Sequence, residues 1–179
     1  MMERWLDNND DLYDQDDTSW ELEARDPLTY RHILVVIEDT PAMYATIRHA
    51  ISLASATDAT LYFLALPVIP AAAGMPDMMA ITNELLKGLT NQSKLLLEWA
   101  ADAAACAGIT CRTYLRWGRT PATILQVANE IPCDLIVMSA PSSSRWERFI
   151  RPCIAKRVAA QADQPVLMIK TPRQPVPVS

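Results

Sequence analysis

The sequence predicts an α/β fold: a three-layer sandwich in which a parallel sheet carries helices on both faces. Three observations point there. Short apolar runs of strand length recur at 33–37, 60–66, 135–138 and 166–170, and a fifth strand reads at 111–116. Segments with helical apolar spacing separate them, so strands and helices alternate along the chain. Turn and cap residues stand at the junctions, with Thr-Pro pairs before two of the helices and Gly108 after a third.

Ile33 to Ile37 is a run of branched residues, as expected of a central strand buried on both faces. Glu38 and Asp39 end it. Thr40 offers an N-cap hydroxyl and Pro41 a first helical position. The helix that follows reaches about Ser55, with Met43, Ile47, Ala50, Ile51 and Ala54 on one side. Thr60 to Leu66 is the second strand, and 67–76 a Pro/Ala loop. A long helix is predicted within Met78 to Ala107, ended by Gly108. Cys111 to Arg116 alternates: Cys111, Thr113 and Leu115 take one face, Arg112, Tyr114 and Arg116 the other, as in an edge strand. Gly118-Arg119-Thr120-Pro121 opens a short helix containing Ile124, Leu125 and Ala128, which stops before Pro132. Strand 135–138 empties into the serine-rich turn 139–144. A basic segment carries Arg145, Arg148, Arg151, Lys156 and Arg157, and Pro152 is placed to open a helix reaching Ala162. Val166 to Lys170 is the last strand.

Composition narrows the function. Half the residues are hydrophobic, enough for a sizeable core. No uninterrupted apolar run approaches the about 20 residues needed to cross a bilayer. The N-terminus is acidic, unlike a secretory leader, so a cytoplasmic location is expected. Cys106, Cys111, Cys133 and Cys153 form no Cys-x-x-Cys pair. The first three are expected to be buried small hydrophobes. No metal site is expected, since His32 and His49 are the two histidines and neither is near the serine loop in sequence.

The net charge of −5 hides a segregation. Residues 1–28 hold ten acids against Arg4 and Arg25, whereas residues 29–179 are net basic by three. This division predicts an acidic N-terminal tail (1–28), a folded domain (29–173) and a short C-terminal tail (174–179). Ordering the acidic segment alone would cost more entropy than its burial returns. Trp5, Leu6, Leu12, Tyr13, Trp20 and Leu22 interleave with its acids, a composition suited to ordering on a partner protein. An alternative seat is the chain's own basic segment, where a tethered tail acts at about millimolar effective concentration. The chain is acidic overall and its basic cluster is short, so no nucleic-acid role is expected.

In a doubly wound sheet, the loop leaving a strand such as 135–138 is where a nucleotide would sit. Here that loop has no glycine; none occurs from Arg119 to Ser179.

The pieces ILVVIEDT at 33–40, WGRTPATIL at 117–125, DLIVM at 134–138 and QPVLMIK at 164–170 resemble, in order and spacing, the universal stress protein family. The resemblance covers Tyr30 to about Arg173. It implies a Rossmann-like sheet of five strands in order 3-2-1-4-5. It also implies a homodimer in which the last strands, Val166, Leu167, Met168 and Ile169, pair across the axis. Nucleotide-binding members carry Gly-x2-Gly-x9-Gly-[Ser/Thr] after the fourth strand. Laid on this chain, those positions are Ser139, Ser142, Pro152 and Cys153. Glu38 stands where the family usually has an aspartate near the nucleoside.

Glycine lets a backbone close around phosphates and turn successive N–H groups inward. Serine bears a Cβ and resists positive φ. Pro152 has no N–H, and Cys153 replaces a hydroxyl with a weak donor. Two lost charge-assisted hydrogen bonds, at roughly 1.5–3 kcal/mol each, weaken binding by about 10²- to 10⁴-fold. No ATP cofactor is therefore expected. The opposing feature is Arg145, Arg148 and Arg151, strong phosphate ligands beside the hydroxyls of Ser142, Ser143 and Ser144. These would serve a rebuilt anion site, and the serines are candidate phosphoacceptors. There is no P-loop lysine motif and no Gly-x-Ser-x-Gly elbow. The expectation is a non-catalytic signalling or scaffold homodimer, the alternative a sensor of a nucleotide or other anion.

Overall fold

The computed structural model describes residues 29–67, 83–118, 120–140 and 154–170. Strand β1 (His32–Ile37), helix α1 (Met43–Thr57), β2 (Thr60–Ala65), α2 (Asn83–Cys106), β3 (Cys111–Leu115), α3 (Thr120–Glu130), β4 (Leu135–Ser139), α4 (Ile154–Ala159) and β5 (Val166–Ile169) follow in that order. The strands make one all-parallel sheet in the order β3-β2-β1-β4-β5.

β1 is the centre of this arrangement. Ile33 to Ile37 are each at most 3 % exposed, as an apolar strand with both faces covered should be. Its side chains alternate between two cores. Ile33, Val35 and Ile37 join Ile47, Leu61, Phe63, Leu97 and Val137 on the face covered by α1 and α2. Leu34 and Val36 join Leu64, Ile124, Val127, Ile136 and Val158 beneath α3 and α4. The alternation predicted for β3 holds: Cys111 and Leu115 pack toward the first core and Tyr114 toward the second, with Thr113 exposed.

The start of the first helix departs from the sequence expectation. α1 begins at Met43, not at Pro41, and Thr40 is no N-cap. The Thr40 N–H donates to the Glu38 carbonyl at 2.8 Å and its own carbonyl accepts from Met43 at 3.0 Å. The Thr-Pro pair is thus spent on a tight turn before the helix, and the Thr40 hydroxyl is buried with no hydrogen-bond partner among the described residues. The second Thr-Pro pair does open its helix, at Thr120. At the other end of α1, Asp58 takes the left-handed conformation (φ 54°) and Ala59 N–H closes back on the Ala54 carbonyl. Gly108 (φ 73°) ends α2 in the same way, with Ile109 N–H on the Ala104 carbonyl. Gly118 before α3 is required for space, because a Cβ there would run into Thr123 Oγ1.

Cysteine burial also departs from expectation. Cys106 is exposed at the end of α2, on the side turned from the sheet, and Cys111 and Cys133 are half-buried. Burial raises the thiol pKa of both half-buried cysteines, and Cys133 Sγ donates to the Leu135 carbonyl at 3.3 Å. Among the described residues no helix is long and apolar enough to cross a membrane.

A carboxylate staples the start of the two central strands. Asp134, just before β4, accepts the backbone N–H of Arg31 at 2.6 Å and of His32 at 3.1 Å. These amides precede or begin β1, where the ladder to β4 has not yet started, at Ile33↔Leu135. Charge-assisted bonds of this kind contribute about 1.5–3 kcal/mol each. Asp134→Ala is expected to lower unfolding stability by about 2–4 kcal/mol, and Asp134→Asn, which keeps one acceptor, by about half as much. A urea denaturation midpoint unchanged in Asp134→Ala would contradict this.

Candidate functional site: the crevice between the first and fourth strands

The chain leaves β1 toward β2 through α1 on one face and reaches β4 from β3 through α3 on the other. The connections therefore diverge between β1 and β4, and a crevice opens at the carboxyl ends of these strands. Its described walls are Glu38 to Ala42 after β1, the first turns of α1, and Ser139 and Ala140 at the end of β4.

Ser139 follows the two-residue period of β4, so it shares the α1 face with Leu135 and Val137. It is 6 % exposed. Its hydroxyl lies 3.0 Å from Thr46 Oγ1, and Thr46 is 1 % exposed. Thr46 Oγ1 donates to the Ala42 carbonyl at 3.0 Å. A hydroxyl has one proton, so Ser139 must be the donor to Thr46. The result is a relay from Ser139 O–H to Thr46 O–H to the Ala42 carbonyl. It ties the end of β4 to the first turn of α1 across the floor of the crevice. The next amide, Ala140 N–H, donates to the Ile169 carbonyl at 2.7 Å and so belongs to the sheet.

Two carboxylates stand at the mouth. Glu38 is half-buried and Asp39 exposed, with Gln92 Nε2 of α2 donating to Asp39 Oδ2 at 2.6 Å. Of the residues the sequence assigns to the site, Glu38 and Ser139 thus meet at one crevice. Ser142, Ser143, Ser144, Arg145, Arg148, Arg151, Pro152 and Cys153 lie outside the described residues, as do Trp5, Tyr13 and Trp20 of the acidic segment. Thr46 was not foreseen. Its signal was a hydroxyl inside an otherwise apolar helical stripe of Met43, Ile47 and Ala50. No group of three or more His, Cys, Asp or Glu able to hold a metal ion occurs among the described residues.

β5 forms the sheet edge on this side, beyond β4. Leu167 and Met168 are 40 % and 41 % exposed, Val166 is half-buried, and Ile169 is buried in the chain's own core. The side chains free for contact are thus Leu167 and Met168.

The relay makes a directional prediction. Thr46→Val strands the Ser139 donor in a buried site and should cost about 1–3 kcal/mol. Ser139→Ala leaves the Thr46 bond to Ala42 intact and should cost about 0.5–1.5 kcal/mol. The double variant should cost less than the sum, since one bond is shared. Equal, additive losses in denaturant titrations would contradict the relay.

Residues 29–170 match the model of the universal stress protein family. The chain is 26% identical over 152 residues to universal stress protein MJ0531 of Methanocaldococcus jannaschii, covering 81% of this chain and 85% of that one. Among solved structures, universal stress protein UspA from Lactobacillus plantarum superposes with a TM-score of 0.68 at 23% identity, over 80% of this chain and 99% of that one. The universal stress protein from Archaeoglobus fulgidus, solved in complex with dAMP, gives 0.54 at 19% identity over 80% and 100%. With residues 29–170, most of its length, matched by one family model, this chain belongs to the universal stress protein family.

Proposed function

We propose that this protein is a non-catalytic signalling or scaffold member of its family, acting as a homodimer through protein contacts and without ATP. The observation that carries the reading is Ser139. At the position where nucleotide-binding relatives have their first motif glycine, this chain has a buried side chain whose hydroxyl is spent on Thr46. Opening the backbone around a phosphate there would break the relay as well as force a Cβ into a close approach. Glu38 and Asp39 add negative charge at the mouth, which repels a polyphosphate. Pro152 and Cys153 remove further donors by their chemistry alone. No catalytic role is inferred, because the sequence lacks the lysine and nucleophile motifs of phosphoryl and acyl transfer. A cytoplasmic location fits this reading.

The dimer reading draws on β5. An edge strand with exposed Leu167 and Met168, its outer backbone unpaired among the described residues, offers an apolar surface to a second copy of itself. The acidic segment with Trp5, Tyr13 and Trp20 is the proposed surface for a different protein.

The second reading is a sensor of a nucleotide or other anion that uses Arg145, Arg148 and Arg151. It draws on relatives solved with dAMP and AMP. Calorimetric titration of the full chain with ATP separates the two. The first reading expects no binding at micromolar ATP, and a micromolar dissociation constant would overturn it. Light scattering tests the dimer: the wild type should weigh twice the 19.9 kDa chain. Met168→Pro and, independently, Leu167→Lys should give monomers. A wild-type monomer, or variants that stay dimeric, would exclude β5 as the pairing edge.

A further inference from the structure

Helix α2 is too long for the sheet it covers. Its 24 residues span about 36 Å, whereas the six and five residues of β2 and β3 span about 17–20 Å. Its buried residues, Ser93, Leu97, Ala100 and Ala104, begin only at its eleventh position, leaving the first ten without a buried side chain. The same stripe continues backward at helical spacing through Thr90, Leu86 and Asn83. There it faces no sheet. Leu86 and Thr90 instead line an open groove of about 610 Å³ together with Asn83, Asn91 and, from beyond β3, Trp117. Trp117 is 41 % exposed. Lys87 and Lys94, seven residues apart on α2, line the cavity too, and no carboxylate is among its described lining residues. Neither lysine has an ion pair among the described residues. Leu86 and the Trp117 indole beside two ammonium groups that have no ion pair among the described residues suit an occupant that is both aromatic and acidic.

We propose that this groove is the seat of the chain's own residues 5–13, Trp5-Leu6-Asp7-Asn8-Asn9-Asp10-Asp11-Leu12-Tyr13. Two apolar pairs bracket three aspartates in this stretch. Aromatic side chains bury the Leu86–Trp117 surface, and the aspartates meet Lys87 and Lys94. Reach is no obstacle. The chain enters β1 just after Thr29, and the 15 residues between Tyr13 and Thr29 extend up to about 50 Å. The groove at the far end of β3 lies about 20 Å along the strands and two strand spacings of about 4.8 Å to the side. The segment 68–82, which joins β2 to α2, is a poorer match, since Asp77 is its one charged residue and it has no aromatic. The proposal deepens the reading that the acidic segment makes contacts, and it is independent of the ATP reading. It also predicts that a partner recruited by residues 5–13 must first draw them off α2.

Amine labelling of the full chain, read lysine by lysine by mass spectrometry, tests it. Lys170 at the end of β5 serves as the reference. At about millimolar effective concentration the tethered segment should shield the groove most of the time. Labelling of Lys87 and Lys94 should then rise about fivefold in Asp7→Asn/Asp10→Asn/Asp11→Asn and, separately, in Trp5→Ser/Leu6→Ser, with Lys170 unchanged. Raising the salt concentration should have the same effect in the wild type. Equal rates in wild type and both variants would overturn the proposal and leave the groove to 68–82 or to solvent. Protection at Lys156 in place of Lys87 and Lys94 would move the seat to the basic helix and overturn it equally. Protection that fades on dilution would assign the occupant to a second copy. None of these outcomes bears on the ATP titration or the dimer mass.

Discussion

Everything in this structure depends on burying β1 on both sides. Ile33 to Ile37 offer no polar face, so the strand is stable only between two flanking strands and under helices above and below. Right-handed crossovers then leave little choice. α1 and α2 go to one face and α3 and α4 to the other, and the connections part company between β1 and β4. The crevice is therefore a by-product of covering an apolar strand. Asp134 reinforces the arrangement from the opposite end, holding the first amides of β1 before the ladder to β4 begins.

In the proposed reading, this chain is set apart from nucleotide-binding relatives by how the crevice floor is satisfied. A glycine at the end of β4 would leave backbone N–H groups and empty space for a ligand. Ser139 fills the space and finds its hydrogen bond inside the protein, through Thr46 to the Ala42 carbonyl. The helix covering the first core is thereby hydrogen-bonded to the strand that would otherwise present a ligand. Ala140 turns its amide to β5. In that reading the carboxylates of Glu38 and Asp39 at the mouth discourage anions further.

Much of this was legible in the sequence, for identifiable reasons. β-branched runs and two-residue alternation gave the strands and their faces, because burial on a sheet acts residue by residue. Strand order was not readable from pattern; it came from resemblance to a family, and the parallel ladders bear it out. Thr40 misled because a Thr-Pro pair serves a tight turn as well as a helix start, and the Glu38 carbonyl decided between them. Cys106 misled because helix-end cysteines are buried only if their stripe faces the sheet. Asp58, Asp134 and Thr46 were missed for a shared reason. Each acts through a backbone group or a residue brought near by folding, in the case of Asp134 from 103 positions away. The groove under α2 needed the relative lengths of a helix and two strands, which no single segment reveals.

The central claim is that side chains, not main-chain amides, close the crevice between β1 and β4. Its most direct test is a crystal structure grown with millimolar ATP. The account predicts a Ser139–Thr46 hydrogen bond intact and no ordered triphosphate in the crevice. Ordered ATP held there by backbone nitrogens of the loop after β4, with the Ser139 hydroxyl turned away from Thr46, would contradict it.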